Sequence, residues 1–247
     1  MVALVSGGSS GIGKATAELL AKRGYKVYEL SRSGKDSEGI THILADVIDE
    51  DSIKSAIDTV YSKEGQLNIL ICNAGFGISG AVELTEISQA KRLFDVNFFG
   101  IVRCIRAAVP IIRASGGGTI VCLSSVAAPI SIPFQAYYSC TKSAVNNLVL
   151  ALRNELRPFK ISICAVMPGD VKTGFTSSRE KNSDNQIYNG AVEKAVSAME
   201  RDEQGGMSPE KVASVVVRAA ERKYPAPLYT VGFKYKLFVL LSRLLPA

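Results

Sequence analysis

The sequence predicts a doubly wound α/β fold, a parallel sheet with helices on both faces. Three observations carry this. Short β-rich runs alternate with helix-length amphipathic segments along the chain, as in successive βαβ units. A glycine-rich turn, SGGSSGIG at 6–13, joins the first run to the first helix. No internal repeat or linker interrupts the alternation, so a single domain over 1–247 is expected.

Val2 to Ser6 reads as the first strand, and Ile12 to Arg23 as a helix that stops at Gly24. Val27 to Ser31 and the short His42 to Ala45 are the next strands, and residues 51–63 are helical. Leu67 to Cys72 is a fourth strand that runs into NAGFG. A long helix covers about 86–113, and Thr119 to Ser124 is a fifth strand. The helix from about Gln135 to Arg157 follows Pro133 and stops at Pro158, where proline suits a helix start and a helix end. Ile161 to Met167 is a sixth strand. Residues 174–206, rich in Ser, Asn, Lys, Glu and Gly, break the pattern before a helix from Pro209 to Arg222. An insertion there lies beside the carboxyl ends of the strands, where a substrate lid belongs.

With 47% hydrophobic and 21% charged residues, the chain can bury a core and does not read as disordered. The net charge of +6 suits an anionic cofactor, a phosphate-bearing substrate or an acidic surface. Its lysines and arginines are scattered, which argues against a nucleic-acid groove. None of the five cysteines forms a CxxC pair, and Cys72, Cys122 and Cys164 sit in apolar strand-like runs. They read as buried free thiols of a reducing, cytoplasmic compartment, with no metal site. The opening MVALVSGG reads as a core strand and not as a signal peptide. No apolar run reaches the roughly 18 to 20 residues of a membrane span.

In the glycine turn, Gly7 makes the tight bend, Gly11 lets backbone approach a pyrophosphate, and Gly13 lets the helix pack on the strand. The helix N-terminus then faces the phosphates. About 20 residues on, where an acid commonly holds the adenosine ribose, the chain has ELSRSGK. Ser31 occupies the acid's place and Arg32 follows, so a 2′-phosphate would be gripped rather than repelled. NADP(H) is therefore expected over NAD(H). Glu29 argues the other way but lies two residues too early, within the strand.

Of the neighbours Tyr137 and Tyr138, only Tyr138 stands four residues before Lys142, on one helix face. A nearby ammonium favours a phenolate, so the expectation is a lowered Tyr138 pKa and a phenol able to exchange a proton with an alcohol or alkoxide. The fifth strand ends in LSSVAA, which puts a serine hydroxyl at the carboxyl edge of the sheet, in reach of a carbonyl oxygen. Asn97 interrupts the apolar face of the long helix. Its amide either holds a water leading to Lys142 or satisfies nearby backbone.

Taken together, SGGSSGIG (6–13), ADV (45–47), CNAG (72–75), VNFFG (96–100), LSSVAA (123–128), YSCTK (138–142) and PGDVKT (168–173) resemble the short-chain dehydrogenase/reductase family over essentially the whole chain. The resemblance implies a Rossmann-type, seven-stranded parallel sheet, with LYTVG at 228–232 as the seventh strand. It selects Ser125, thirteen residues before Tyr138, as the catalytic serine. Tyr138 would be the acid/base, Lys142 would lower its pKa and hold the nicotinamide ribose, and Asn97 would hold a proton-relay water. Ser6, Gly7, Ser9, Ser10, Gly11, Ile12 and Gly13 would line the dinucleotide, with Ser31 and Arg32 at the ribose and Asp46 and Val47 at the adenine. Asn73, Ala74 and Gly75 would support it, and Pro168, Gly169, Val171 and Thr173 would reach the nicotinamide. Ser6 replaces the family's usual threonine and keeps a hydroxyl.

The substrate side is less determined. Phe76, Ile78, Val126, Ile130, Ile132, Phe134 and Phe175 surround the expected pocket and suggest an apolar ketone or aldehyde. The chain lacks the TGxxxxVDGG ending of many ketoacyl-carrier-protein reductases and resembles hydroxysteroid, retinol and lipid-ketone members there. Alternatives are a 3-oxoacyl reductase and a catalytically silent NADP(H) sensor. The tail, 233–247, is apolar and basic, with Lys234, Lys236 and Arg243. It can lie at a membrane interface, cap the pocket or pack against another subunit, and packing ranks first. The resemblance implies a homodimer or homotetramer paired through the helices at 86–113 and 135–157.

Overall fold

The central strands of this chain, VALVS, ILIC, GTIVCL and ISICAVMP, are mostly apolar and buried on both faces, as a parallel sheet covered by helices requires. The computed structural model describes residues 1–182, 185–242 and 244. Residues 183–184 of the expected lid, and Arg243 and 245–247 of the tail, lie outside the described residues.

The chain runs β1 (Val2–Ser6), α1 (Gly11–Lys22), β2 (Lys26–Ser31), β3 (Ile40–Leu44), α2 (Glu50–Glu64) and β4 (Ile69–Cys72). It continues through β5 (Ile78–Gly80), α3 (Ile87–Phe94), α4 (Gly100–Ala114), β6 (Gly118–Leu123), α5 (Ala136–Leu156) and β7 (Ile161–Pro168). The last elements are β8 (Glu180–Asn182), α6 (Asn185–Tyr188), α7 (Ala191–Gln204), α8 (Pro209–Glu221), β9 (Leu228–Val231) and α9 (Phe233–Leu241). Seven strands form one parallel sheet in the order β3-β2-β1-β4-β6-β7-β9. Winding reverses between β1 and β4, and such a switch point opens a crevice at the carboxyl ends of the strands.

Alternation along each strand supplies the two cores. Leu4, Leu70 and Ile120 face one side with Ile53, Ile57, Ile105 and Val149 of α2, α4 and α5. Val5, Ile71 and Val121 face the other with Leu20 of α1 and Val212 and Val216 of α8. Helix boundaries follow local chemistry. Asp49 caps α2 by accepting from Ser52 N–H at 3.0 Å, and Gly65 closes it in the left-handed conformation. Ser208 caps α8 and Pro209 opens it.

Three features depart from the sequence expectation. The long helix at 86–113 is two helices, α3 and α4, joined by a π-helical turn at Asp95–Phe99. The 174–206 segment is mostly structured: β8 pairs in parallel with β5 in a small second sheet, and α7 covers most of the remainder. Pro158 sits inside a 3-10 turn, Arg157–Phe159, that extends the end of α5. Among the described residues, no helix is long and apolar enough to cross a membrane.

Candidate active site

The loops after β1, β4, β6 and β7 meet at the carboxyl edge of the sheet, across the switch point. Ser6 Oγ accepts from the backbone N–H of Asn73 at 3.1 Å and of Ala74 at 3.4 Å, locking the ends of β1 and β4 together. Asn73 Nδ2 in turn donates to the Gly7 carbonyl at 2.9 Å. Gly7 has φ +66°, and a Cβ on Gly13 would lie 2.1 Å from the Gly7 oxygen. No side chain other than hydrogen fits at Gly13, so the turn holds the N-terminus of α1 against the strand. Ser9 and Ser10 are exposed, and Ser10 makes no side-chain cap to α1, so its first N–H groups stay available. Thr173, on the loop after β7, lies 3.4 Å from the position of a Gly11 Cβ. A dinucleotide phosphate fits this cradle of N–H donors and closely packed backbone.

On the far side of the edge, α5 presents Tyr138. Burial pushes its pKa up to about 12, against opposing pulls from the Ser125 hydroxyl and from Arg179. Geometry separates the two serines. Ser124 is buried and spends its hydroxyl on the Lys142 carbonyl at 3.2 Å, whereas Ser125 is partly exposed and accepts only from Ala127 N–H, at 3.1 Å. Lys142 lies one turn from Tyr138 and is buried. Its Nζ donates to the Leu123 carbonyl at 2.9 Å and stands 5.7 Å from the Tyr138 ring centre. Desolvation brings the Lys142 pKa down from 10.5 to about 8. The expected lowering of the phenol by Lys142 is not what this arrangement produces, because burial outweighs the favourable contacts. Tyr137, the preceding residue on α5, is partly buried and makes no side-chain hydrogen bond or ring contact with these groups.

Asn97 stands in the π-helical turn, fully buried. Its Oδ1 accepts from Phe76 N–H at 3.0 Å, and its Nδ2 donates to the Phe76 carbonyl at 2.9 Å and to Thr141 Oγ1 at 3.3 Å. These contacts satisfy both backbone groups of Phe76.

The comparisons with known proteins give the family. The family model described as short chain dehydrogenase matches residues 1–184. The chain belongs to the short-chain dehydrogenase family. It is similar to 3-ketodihydrosphingosine reductase of Bacteroides thetaiotaomicron, 35% identical over 235 residues that cover 94% of this chain and 87% of that protein. It is also similar to dehydrogenase/reductase SDR family member 7B of Xenopus tropicalis, at 29% identity over 99% of this chain and 82% of the relative. A crystal structure of a short-chain dehydrogenase from Streptomyces avermitilis superposes with a TM-score of 0.87 at 29% identity, covering 98% of this chain and 91% of that one. This is therefore an oxidoreductase of the short-chain type, and its family uses nicotinamide cofactors.

At the ribose end of this short-chain dehydrogenase, Arg32 is exposed and unpaired among the described residues. Ser31 Oγ donates to Glu29 Oε1 at 3.2 Å and to the Ser33 carbonyl at 3.1 Å. Glu29 is buried and also pairs with His42 Nδ1, an internal use that sequence spacing could not reveal. Asp46 caps its own turn by accepting from Ile48 N–H at 3.2 Å, and Val47 is buried against Gly100. Pro168 accepts from Val126 N–H at 3.0 Å, joining the loops after β6 and β7, and Val171 bridges to Met207.

The expected pocket residues divide. Phe175 lies against Tyr138 with ring centres 5.7 Å apart, and Phe76 stacks under Arg92 at 5.2 Å. Phe134, in the left-handed conformation at φ 60°, packs with Tyr188 and the small cluster of Ala81, Val192 and Val196. It braces the 174–206 segment and is engaged there, while Ile132 and Val126 are partly buried on the loop after β6. Two further contacts have no sequence signal. The Tyr235 ring fills the space beside Gly169, and its hydroxyl donates to Asp170, which latches α9 to the loop after β7. Arg179 is buried and paired with Glu203. Among the described residues, no group of three or more His, Cys, Asp or Glu is placed to hold a metal ion.

Proposed function

We propose that this short-chain dehydrogenase reduces the ketone of an apolar, long-chain substrate with NADPH. The observation that carries the reading is the grouping of Ser125, Tyr138 and Lys142 at the carboxyl edge of the sheet, with Lys142 Nζ 5.7 Å from the Tyr138 ring centre. The bound nicotinamide supplies the hydride to the carbonyl carbon. The chain's residues handle the oxygen. Ser125 donates to the carbonyl oxygen and supports the negative charge that grows there. Tyr138 then gives its proton to that oxygen, a downhill transfer because an alkoxide is a stronger base than a phenolate. Lys142, one helical turn from Tyr138 with its Nζ 5.7 Å from the ring centre, would hold the nicotinamide ribose.

Asn97 acts by fixing Phe76 and Gly75 beside Lys142. The turn at Gly7, Gly11 and Gly13, with Ser6, Ser9, Ser10, Ile12, Asn73, Ala74 and Thr173, would hold the dinucleotide. Arg32 and Ser31 would take the 2′-phosphate, and Asp46 and Val47 the adenine. The apolar surroundings of Phe76, Val126, Ile132 and Phe175, and the similarity to 3-ketodihydrosphingosine reductase, support a lipid ketone. Residues 174–206 would act as the lid. The exposed apolar Phe99 and Leu150, at the start of α4 and on α5, support pairing of two copies through these helices. The free thiols, Cys140 exposed among them, support a reducing, cytoplasmic location.

The test is NADPH and NADH oxidation against steroid, retinal, lipid-ketone and 3-oxoacyl substrates. The reading requires turnover of a lipid ketone with NADPH, and activity confined to 3-oxoacyl thioesters would overturn it.

A further inference from the structure

Arg179 has one arm occupied and one arm free. Its side chain is 1% exposed, and Nη2 pairs with Glu203 Oε1. The other carboxylate oxygen of Glu203 accepts from Thr176 Oγ1 at 2.6 Å. Arg179 Nη1 is equally buried and has no hydrogen-bond partner among the described residues. A buried donor left unmade is costly, so such a group calls for an acceptor from elsewhere.

Phe175 links Arg179 to the reacting centre. Arg179 Cζ lies 5.6 Å from the Phe175 ring centre, and that ring lies 5.7 Å from the ring of Tyr138. A Cβ at Gly77 would come within 3.0 Å of Phe175 and 3.5 Å of Arg179 Nε, so these three residues form one wall. The Tyr138 phenol senses both charges: Arg179 lowers its pKa and Glu203 raises it. An ion pair on an otherwise apolar wall is too specific for a plain hydrocarbon ketone. It is also ill suited to an anion, which would have to displace Glu203 from the guanidinium. A carboxylate offers about four acceptor sites, and Thr176 and Arg179 fill two, so Glu203 can still receive a donor.

Resting on the lipid-ketone reading, we propose that Arg179 and Glu203 are the polar end of the substrate site and select a long-chain ketone bearing a hydroxyl and an amine beside its carbonyl. The hydroxyl oxygen accepts from Arg179 Nη1, and the amine donates to the Glu203 carboxylate. The pair thus orients the carbonyl toward Tyr138 and Ser125 and distinguishes an amino-alcohol ketone from a bare one.

The experiment compares 3-ketodihydrosphingosine with octadecan-3-one, the same chain without amine and hydroxyl, in matched mixed micelles with NADPH. The wild type is expected to favour the amino-hydroxy ketone by at least about tenfold in kcat/KM. R179M/E203Q removes the pair without leaving a buried charge alone, and it should lose about 10- to 100-fold on that ketone only. Arg179→Lys keeps the cation and the packing but loses the second arm, and should lose about tenfold on the same substrate. NADPH binding, read by fluorescence, stays unchanged in both variants. Equal wild-type turnover of the two ketones, or a preference that survives both substitutions, overturns this inference and leaves the lipid-ketone reading standing. A wild type inactive on both ketones removes that reading and this inference with it.

Discussion

Asn97 holds Phe76 by both of its backbone groups, accepting from the N–H at 3.0 Å and donating to the carbonyl at 2.9 Å. The clamp fixes the turn after β4 next to Lys142, whose Nζ lies 3.7 Å from the position of a Gly75 Cβ. Asn97→Ala leaves the two backbone groups of Phe76 short of a partner, while Thr141 Oγ1 keeps its bond to the Tyr138 carbonyl. It should cost about 1–3 kcal/mol in urea unfolding and depress kcat more than it weakens NADPH binding. Asn97→Asp, which can accept but not donate, should fall between Ala and wild type.

Lys142 is placed for chemistry at the expense of stability. Its folded pKa of about 8 lies below the ordinary 10.5, so the folded protein binds its proton less tightly than the unfolded chain. The destabilisation is fully present below about pH 8 and is relieved as pH rises from about 8 to 10.5. A shift of this size corresponds to about 3 kcal/mol, less about 1 kcal/mol for the hydrogen bond to Leu123. Lys142→Met should therefore raise the Tm of the cofactor-free protein by several degrees at pH 7 and abolish turnover. The gain should shrink above pH 8, and a variant that is less stable than wild type at pH 7 would contradict the placement.

Arg32 is exposed at the end of β2 and holds no partner among the described residues, which leaves its fork free for a 2′-phosphate. Arg32→Ala should raise the KM for NADPH about 10- to 100-fold and change that for NADH by less than about threefold. Equal effects on the two cofactors would remove the assignment.

Much of this was legible in the chain. The i,i+4 spacing singled out Tyr138 against Tyr137, and the strand pattern put a serine of LSSVAA at the sheet edge, because both depend only on local periodicity; the choice of Ser125 over Ser124 came from the family resemblance. What was not legible depends on packing between distant segments. Arg179 and Glu203 belong to different elements, and nothing near either residue announces the pair. Ile78–Gly80 reads as loop until Glu180–Asn182 arrives to pair with it. The π-helical turn that turns Asn97 inward differs from α-helix by one residue in register, which a hydrophobic pattern does not resolve. The Tyr138 pKa was expected to fall because Lys142 was counted and the burial was not.

The central claim is that the Tyr138 hydroxyl delivers the proton. The direct measurement is the single-turnover rate of ketone reduction by Tyr138→Phe and Tyr137→Phe, each with NADPH affinity measured by fluorescence on the same samples. The account predicts that Tyr138→Phe binds NADPH within about threefold of wild type and loses at least about a hundredfold in rate, while Tyr137→Phe matches wild type in both. A Tyr138→Phe enzyme that keeps its rate, or a Tyr137→Phe enzyme that loses it, would contradict the account.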